Sequence, residues 1–399
     1  MSLSALSNSN ATINTYVEFV NSAVGVGGAD NKNAINPEVF YSTQLLDTIR
    51  DAAESYQYYK YAQAMPIENK ADKLTVRRWA PLQAHTVPLT EGVPPISDKG
   101  SVEKYEITAY QYGRYMEFTD KVDFKAVDPI VAHYSNEYSI VAVETLDLLA
   151  QDMLLTCAQQ YYAGGAASRQ EVKIGNGPAI ADLRLIGLAL KKAKVKPVDT
   201  TYHVLVSPEF VYDMLDDEYV QNYMKINQTT ENMYSDGTLI PMFGFSFHEV
   251  VNCPTSSAWY DSDSDTYKCL AYKFDDATDT YSYETLTAAT ELTSGYVKDS
   301  RTGKDASYIP NQRTFSPSAG FTLMKQNHII ILGKDALVRT GLSGEDSAKM
   351  YVKPLGSTGV LDPIDQRQSI GFKINSVGFG STRLEAIVDY ICVPSQLNV

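Results

Sequence analysis

The chain has 399 residues, with 34 Lys and Arg against 48 Asp and Glu and a formal charge of −14 at pH 7. That length supports two or three lobes with cores of their own, and the acidic balance excludes a protein that grips nucleic acid through a dominant basic surface, although local basic patches remain compatible with it. The four cysteines, Cys157, Cys253, Cys269 and Cys392, form no C-x-x-C pair and so indicate neither a zinc ribbon nor a disulfide framework.

The first residues, "MSLSALSNSNATINTYVEFV", show no basic n-region and no apolar h-region, and no apolar run nears the ~20 residues of a membrane-crossing helix. The chain is therefore expected to stay in the cytoplasm of the cell that makes it. Residues 1 to about 37 are rich in Asn, Ser, Gly and Ala without periodicity, which reads as an arm that must lie on something else. A short helix is expected after Pro37, with Phe40, Leu45, Leu46 and Ile49 on one side.

From Lys73 to Asp120 the sequence is extended. In "KLTVRRW" Leu74 and Val76 alternate with Thr75, Arg77 and Trp79. The return, "VEKYEITAYQYGRYMEFTD", is strand-like for almost its full length, several times the usual strand. Pro81, Pro88, Gly92, Pro94 and Pro95 mark a loop tip between them. The pattern predicts a two-stranded ribbon projecting from the body and held by neighbouring chains, because an isolated ribbon is marginal in water.

After Pro129 the period changes to i, i+3, i+4, i+7 through Val131, Tyr134, Tyr138, Val141, Thr145, Leu148 and Leu155. This predicts one spine helix reaching about Tyr162, about 35 residues and roughly 50 Å long. Mixed α/β sequence follows: an amphipathic helix in "ADLRLIGLALKKAKVK", then strand and helix in "TYHVLVSPEFVYDMLDD", with Ser207 as N-cap and Pro208 in the first turn. Residues 255–312 are rich in Asp, Ser, Thr and Tyr, as in a small β insertion, and the chain closes on the long β segment "QSIGFKINSVGFGSTRLEAIVDYICV". The 28 tyrosines suit subunit interfaces or half-exposed strand faces equally.

Chemical motifs are sparse. No H-E-x-x-H, nucleophile elbow or phosphate-binding glycine loop occurs, and each of the five histidines is expected to be structural. Asp261, Asp263 and Asp265 imitate the start of a calcium loop, but Thr266 replaces its turn glycine and Tyr272 its bidentate Glu, so they are only weak metal candidates. No cofactor and no catalytic set is expected.

The order of parts resembles the major capsid proteins of tailed double-stranded DNA bacteriophages, of the Hong Kong 97-type fold, and within them the N4-like podophage family. The residues carrying the resemblance include "LTVRRWAPL" with "PLTEGVPP", "AYQYGRYMEFTD", "VETLDLLAQDML", "VLVSPEFVYDML", and the closing "GKDALVRTGL" with "LDPIDQRQSIGFKINSVGFGSTRLEAIVDY". They cover about three quarters of the chain; the 255–312 block departs from the pattern.

The resemblance implies an α+β fold with an N-terminal arm and short helix (1–50), an extended loop (51–125), a peripheral domain (126–176 and 360–399), an axial domain (177–254 and 313–359) and a β-rich insertion (255–312). It implies a non-enzymatic coat protein that assembles as pentamers and hexamers into an icosahedral virion head around double-stranded DNA, in the bacterial cytoplasm. Partners would be portal, scaffolding, auxiliary or head-fibre proteins, with DNA met non-specifically and no membrane. Inter-subunit contacts would fall on Arg77, Arg78, Trp79, Glu91, Tyr110, Tyr112, Arg114 and Tyr115. A protein-cargo compartment of the encapsulin type and a surface adhesin are the alternative readings.

Overall fold

The structure, a computed structural model, describes residues 58–398 apart from 68–70, 72, 81, 83, 85, 87, 89–90, 93–96, 126–129, 199, 227–238, 240, 262–263, 265, 276–279, 289–314, 316, 343–347 and 355–365. The N-terminal arm, the helix expected after Pro37, His85 and much of the insertion lie outside the described residues.

After a 3-10 turn at Tyr59–Tyr61 come β1 (Gln63–Ile67), β2 (Lys73–Trp79), β3 (Val102–Thr108) and β4 (Tyr110–Thr119). Helices α1 (Asp120–Lys125) and α2 (Ile130–Cys157) lead to β5 (Gln159–Tyr162), α3 (Ile180–Lys192) and β6 (Tyr202–Val206). Next are α4 (Pro208–Asp216), α5 (Glu218–Ile226), β7 (Phe245–Glu249) and β8 (Thr255–Ser256). The insertion contributes β9 (Ala258–Asp261), β10 (Thr266–Asp275) and β11 (Thr280–Ala288), and β12 (Thr322–Leu323) follows. The chain ends through β13 (Gln326–Leu332), β14 (Val338–Leu342), β15 (Ala348–Lys353), β16 (Arg367–Gly380) and β17 (Ile387–Cys392).

These strands make four sheets. One has the order β1-β14-β16-β15, with β4 also paired to β16. A second runs β5-β17-β13-β6-β7, with β8 on β13; a third runs β11-β10-β12, with β9 on β10; β2 and β3 form the fourth alone. Every residue of β13 and β17 is buried, which explains why "HIIIL" and "IVDYIC" are mostly apolar without polar-apolar alternation, His328 and Asp389 being the buried exceptions. Leu183, Ile186 and Leu190 recur at helical spacing along α3 and join their core.

Helix α2 bridges two cores. Its first half lays Tyr138, Ala142 and Leu146 on Ile370, Phe372 and Ile374 of β16 and Phe118 of β4. Its second half puts Ala150, Leu154 and Leu155 into the core around β6, β13 and β17. One rigid rod therefore ties the two sheets together. Ser207 caps α4 as expected, its Oγ accepting from the Phe210 amide at 3.2 Å, with Pro208 in the first turn.

Two expectations are corrected. The spine helix has 28 described residues, about 42 Å, and stops at Cys157 rather than Tyr162. Gln159–Tyr162 instead pairs in parallel with Val388–Ile391, so sheet hydrogen bonds replace further helical ones. The single strand expected from Val102 to Thr119 is two, separated at Ala109. β3 pairs with β2, whereas β4 turns away and pairs with β16 from Arg367 to Val377.

Glycines of β16 permit that divergence. A Cβ on Gly378 would collide with the Thr108 carbonyl, and one on Gly380 with the Ile107 side chain. Gly378→Ala is expected to cost about 2 kcal/mol by forcing backbone apart at this crossing. Urea unfolding of the full-length chain measures it, and a change within about 0.5 kcal/mol would show that the crossing is loose.

Candidate functional site

The ribbon β2–β3 presents two unlike faces. Leu74, Val76 and Arg78 stand opposite Ile107, Tyr105 and Glu103 on the inner face, and the three β2 side chains there are half-buried. The outer face carries Lys73, Thr75, Arg77 and Trp79 opposite Thr108, Glu106, Lys104 and Val102. Trp79 is 73% exposed, an unusual cost for so large an apolar surface. Lys73, Arg77 and Lys104 face only Glu106 among these residues, so the outer face is basic and aromatic on an acidic chain.

The residues expected at chain-to-chain contacts divide between two places. Arg77 and Trp79 lie on the ribbon's outer face, and Glu91 is exposed in the turn where Gly92 adopts φ +79°. Arg78 turns inward and donates to Glu385 of its own chain at 3.1 Å. Tyr110, Tyr112, Arg114 and Tyr115 are on β4, which pairs with β16 rather than with the ribbon. Tyr112 packs on the α2 core, whereas Tyr110, Arg114 and Tyr115 are exposed.

Of the weak metal candidates, Asp261 pairs with Lys268 and accepts from Ser264 Oγ at 2.7 Å. Asp263 and Asp265 lie outside the described residues. Among the described residues, no cluster of three His, Cys, Asp or Glu could hold a metal.

The turn that precedes β1 is anchored in the body. Tyr58 is fully buried and donates to Cys253 Sγ, while the Tyr59 amide donates to Asp147 Oδ1 at 3.1 Å. Tyr61 lies against His203 and His248, whose Nδ1 and Nε2 are 2.8 Å apart. Where the ribbon meets the body there is a cleft of about 680 Å³ between β3, β4, α2 and the glycine end of β16, with Lys73, Lys104, Tyr110, Asp152 and Phe379 among its lining.

Burial raises the carboxyl of Asp152 from 3.8 to about 6. Burial also raises Asp147 to about 6, opposed by the amides of Tyr59 and Tyr58. An acid whose folded pKa lies above its unfolded value destabilises the fold as pH rises from 3.8 through about 6, because the folded state then gives up its proton less readily. Asp152→Asn is therefore expected to stabilise the protein by on the order of 1 to 3 kcal/mol at pH 7 and by almost nothing at pH 4. Thermal melts at both pH values check this; an equal effect at both would remove burial as the cause.

Residues far apart in the sequence form a buried polar centre that no motif announced. His328 of β13 has Nδ1 2.8 Å from Asp389 Oδ2 and Nε2 2.7 Å from Ser256 Oγ. Arg169 donates to Ser256 Oγ and to Gln326 Oε1 at 2.7 Å, with its guanidinium 5.2 Å from the Trp259 ring centre. Burial lowers the His328 pKa against the opposing pull of Asp389, so the imidazole is neutral, with Nδ1–H donating to Asp389 and Nε2 accepting from Ser256.

The order Ser–His–Asp is that of a nucleophilic triad. Here, however, Ser256 and His328 are 0% exposed, and Arg169 occupies the serine oxygen. The arrangement balances one buried cation against one buried anion and stitches β8, β13 and β17 together. Removing one partner strands the other: Arg169→Met is expected to cost about 3–5 kcal/mol. Adding Asp389→Asn should recover part of that loss in denaturant titrations, and a double variant no better than the single one would refute the charge balance.

A family model described as phage capsid protein matches residues 103–302, half of the sequence. This chain belongs to the phage capsid protein family. No curated sequence matches it. Among solved structures, the capsid of cyanophage P-SCSP1u aligns with TM-score 0.59 at 10% identity, covering 92% of this chain and 95% of that one. The cyanophage Pam1 capsid aligns with TM-score 0.57 at 10% identity over 90% and 96%. The capsid of Ralstonia phage GP4 aligns with 0.55 at 11% identity over 92% and 98%. The fold is the Hong Kong 97-type capsid fold, and the protein is a structural major capsid protein.

Proposed function

We propose that this capsid protein builds an icosahedral head around a double-stranded DNA genome, assembling as pentamers and hexamers in the bacterial cytoplasm. The observation that carries the reading is the ribbon, a two-stranded sheet with both outer edges unpaired among the described strands and an exposed tryptophan. Such a ribbon gains stability only against another surface. Repeated weak contacts then close the shell through multivalency.

The domain division supporting this reading has an arm and short helix at 1–50, an extended loop at 51–125, and a peripheral domain from 126–176 and 360–399. An axial domain would combine 177–254 and 313–359, with the insertion at 255–312. Arg77, Trp79 and Glu91 contact the neighbouring chain through the ribbon; Tyr110, Arg114 and Tyr115 do so through β4. Arg78 and Tyr112 act from behind, holding the ribbon and β4 in place. The motifs quoted above support the N4-like subtype, and portal, scaffolding, auxiliary or head-fibre proteins complete the assembly.

Negative-stain electron microscopy with mass photometry tests this on the chain alone and with its neighbouring genes. Closed shells, or rings of five and six, are expected. A monomer at every concentration, even beside portal and scaffolding partners, would overturn the reading. Arg77→Glu with Trp79→Ala should shift stability by less than about 0.5 kcal/mol yet suppress assembly, since both side chains are exposed in the single chain.

A further inference from the structure

Helix α3 is apolar on two sides. One side buries Leu183, Ile186 and Leu190 in the core. At about 100° per residue the opposite side carries Ala181, Leu185, Leu188 and Lys192 in one row, with Arg184 and Lys191 along its flank. Leu185 and Leu188 are 56% and 49% exposed. The helix's one acid, Asp182, is engaged elsewhere, its Oδ2 accepting from the Tyr390 hydroxyl at 2.9 Å and from the Gly164 amide at 3.0 Å. The outer side of α3 is therefore aliphatic with a basic rim.

Helices α4 and α5 rest on the same core through Phe210, Val211, Met214 and Val220. What they leave outside is aromatic and acidic. Tyr212, Tyr219 and Tyr223 are exposed, Tyr219 by 78%, beside the exposed Asp216 and Glu218. From Pro208 to Tyr223 the sequence holds Glu209, Asp213, Asp216, Asp217 and Glu218 and neither Lys nor Arg.

The charges of both rims are left over within the chain. Arg184, Lys191, Lys192, Asp216 and Glu218 make no ion pair and no side-chain hydrogen bond with the rest of it. Lys191 and Lys192 complement the dipole at the end of α3, but Arg184 lies more than two turns from that end and has no such role. Each surface has the anatomy of half an interface, an apolar centre inside a charged rim, and the two halves are opposite in sign.

We infer that the outer side of α3 in one copy docks on the α4–α5 surface of a second copy of this chain. Leu185 and Leu188 then lie against the tyrosine rings, while Arg184 and Lys191 meet Asp216 and Glu218. The two surfaces differ, so the contact is heterologous: every copy offers both halves, and the contact can repeat from copy to copy around a ring. The inference rests on the capsid reading above and names the residues of one contact by which its subunits join, separate from the ribbon.

The experiment is mass photometry with negative-stain electron microscopy on full-length charge-reversal variants. Arg184→Glu with Lys191→Glu, and separately Asp216→Lys with Glu218→Lys, should each raise the concentration needed for assembly at least about tenfold. All four substitutions in one chain should bring it back to within about threefold of the parent, because the charges are then exchanged rather than opposed. Circular dichroism checks that each variant folds; if a reversal does not, Arg184→Gln with Lys191→Gln tests the same contact with a smaller loss. A folded double reversal that assembles like the parent, or a four-substitution chain no better than either double variant, would overturn the inference. So would rescue of Asp216→Lys with Glu218→Lys by Arg77→Glu, which would give the acidic surface to the ribbon instead. A parent protein that never associates would overturn the capsid reading and this contact with it, whereas shells that ignore the reversals overturn the contact alone.

Discussion

The strand Arg367–Gly380 is the constraint on which the rest of the described structure depends. Its first half pairs with β15 on one edge and β4 on the other, and its last residues pair with β14. Between them, at Ile374 and Val377, the register shifts, bending the strand and swapping which side chains face α2. Val377 thereby rejoins Ile374 in the same core despite the odd spacing. Because Gly378 and Gly380 admit Thr108 and Ile107 at close range, this strand also decides where the ribbon leaves the body.

The resulting molecule separates what is rigid from what is left to partners. Inside, polar groups are tied down: Arg169 and Asp389 compensate each other through His328 and Ser256, and Tyr58 and Tyr59, in the turn before β1, hold to Cys253 and Asp147. Outside, Trp79, Tyr110, Tyr115, Tyr219 and Tyr351 are exposed, and the ribbon's outer edges are unpaired among the described strands. A subunit of a multivalent shell needs this division, since a stiff body lets weak contacts add without each one first ordering the chain. The ribbon's outer face, with Lys73, Arg77 and Lys104 against Glu106, calls for an acidic partner.

Much of this organisation was legible in the amino-acid order. Alternation in "KLTVRRW", helical spacing from Tyr134 to Leu155 and the Ser207–Pro208 start signal each reflect a local rule of backbone geometry. These rules act within a few residues, so one sequence suffices to apply them. A Ser–His–Asp set does form among the described residues, but it joins residues 256, 328 and 389, too far apart to read as a motif, and is sealed in the core.

Sequence by itself determined the acidic balance, the alternation of the ribbon strands, the spine helix and the motifs whose resemblance pointed to a capsid protein. Only the tertiary structure decided that the helix ends at Cys157, that the long strand divides at Ala109, and that Arg78 is matched by Glu385 within its own chain. It alone also brought Lys349, Lys373, Tyr351 and Tyr115 onto one face. The physical reason is common to all four. Each depends on hydrogen-bond or charge partners dozens to hundreds of residues away, and local propensity carries no information about which distant strand will satisfy a backbone group.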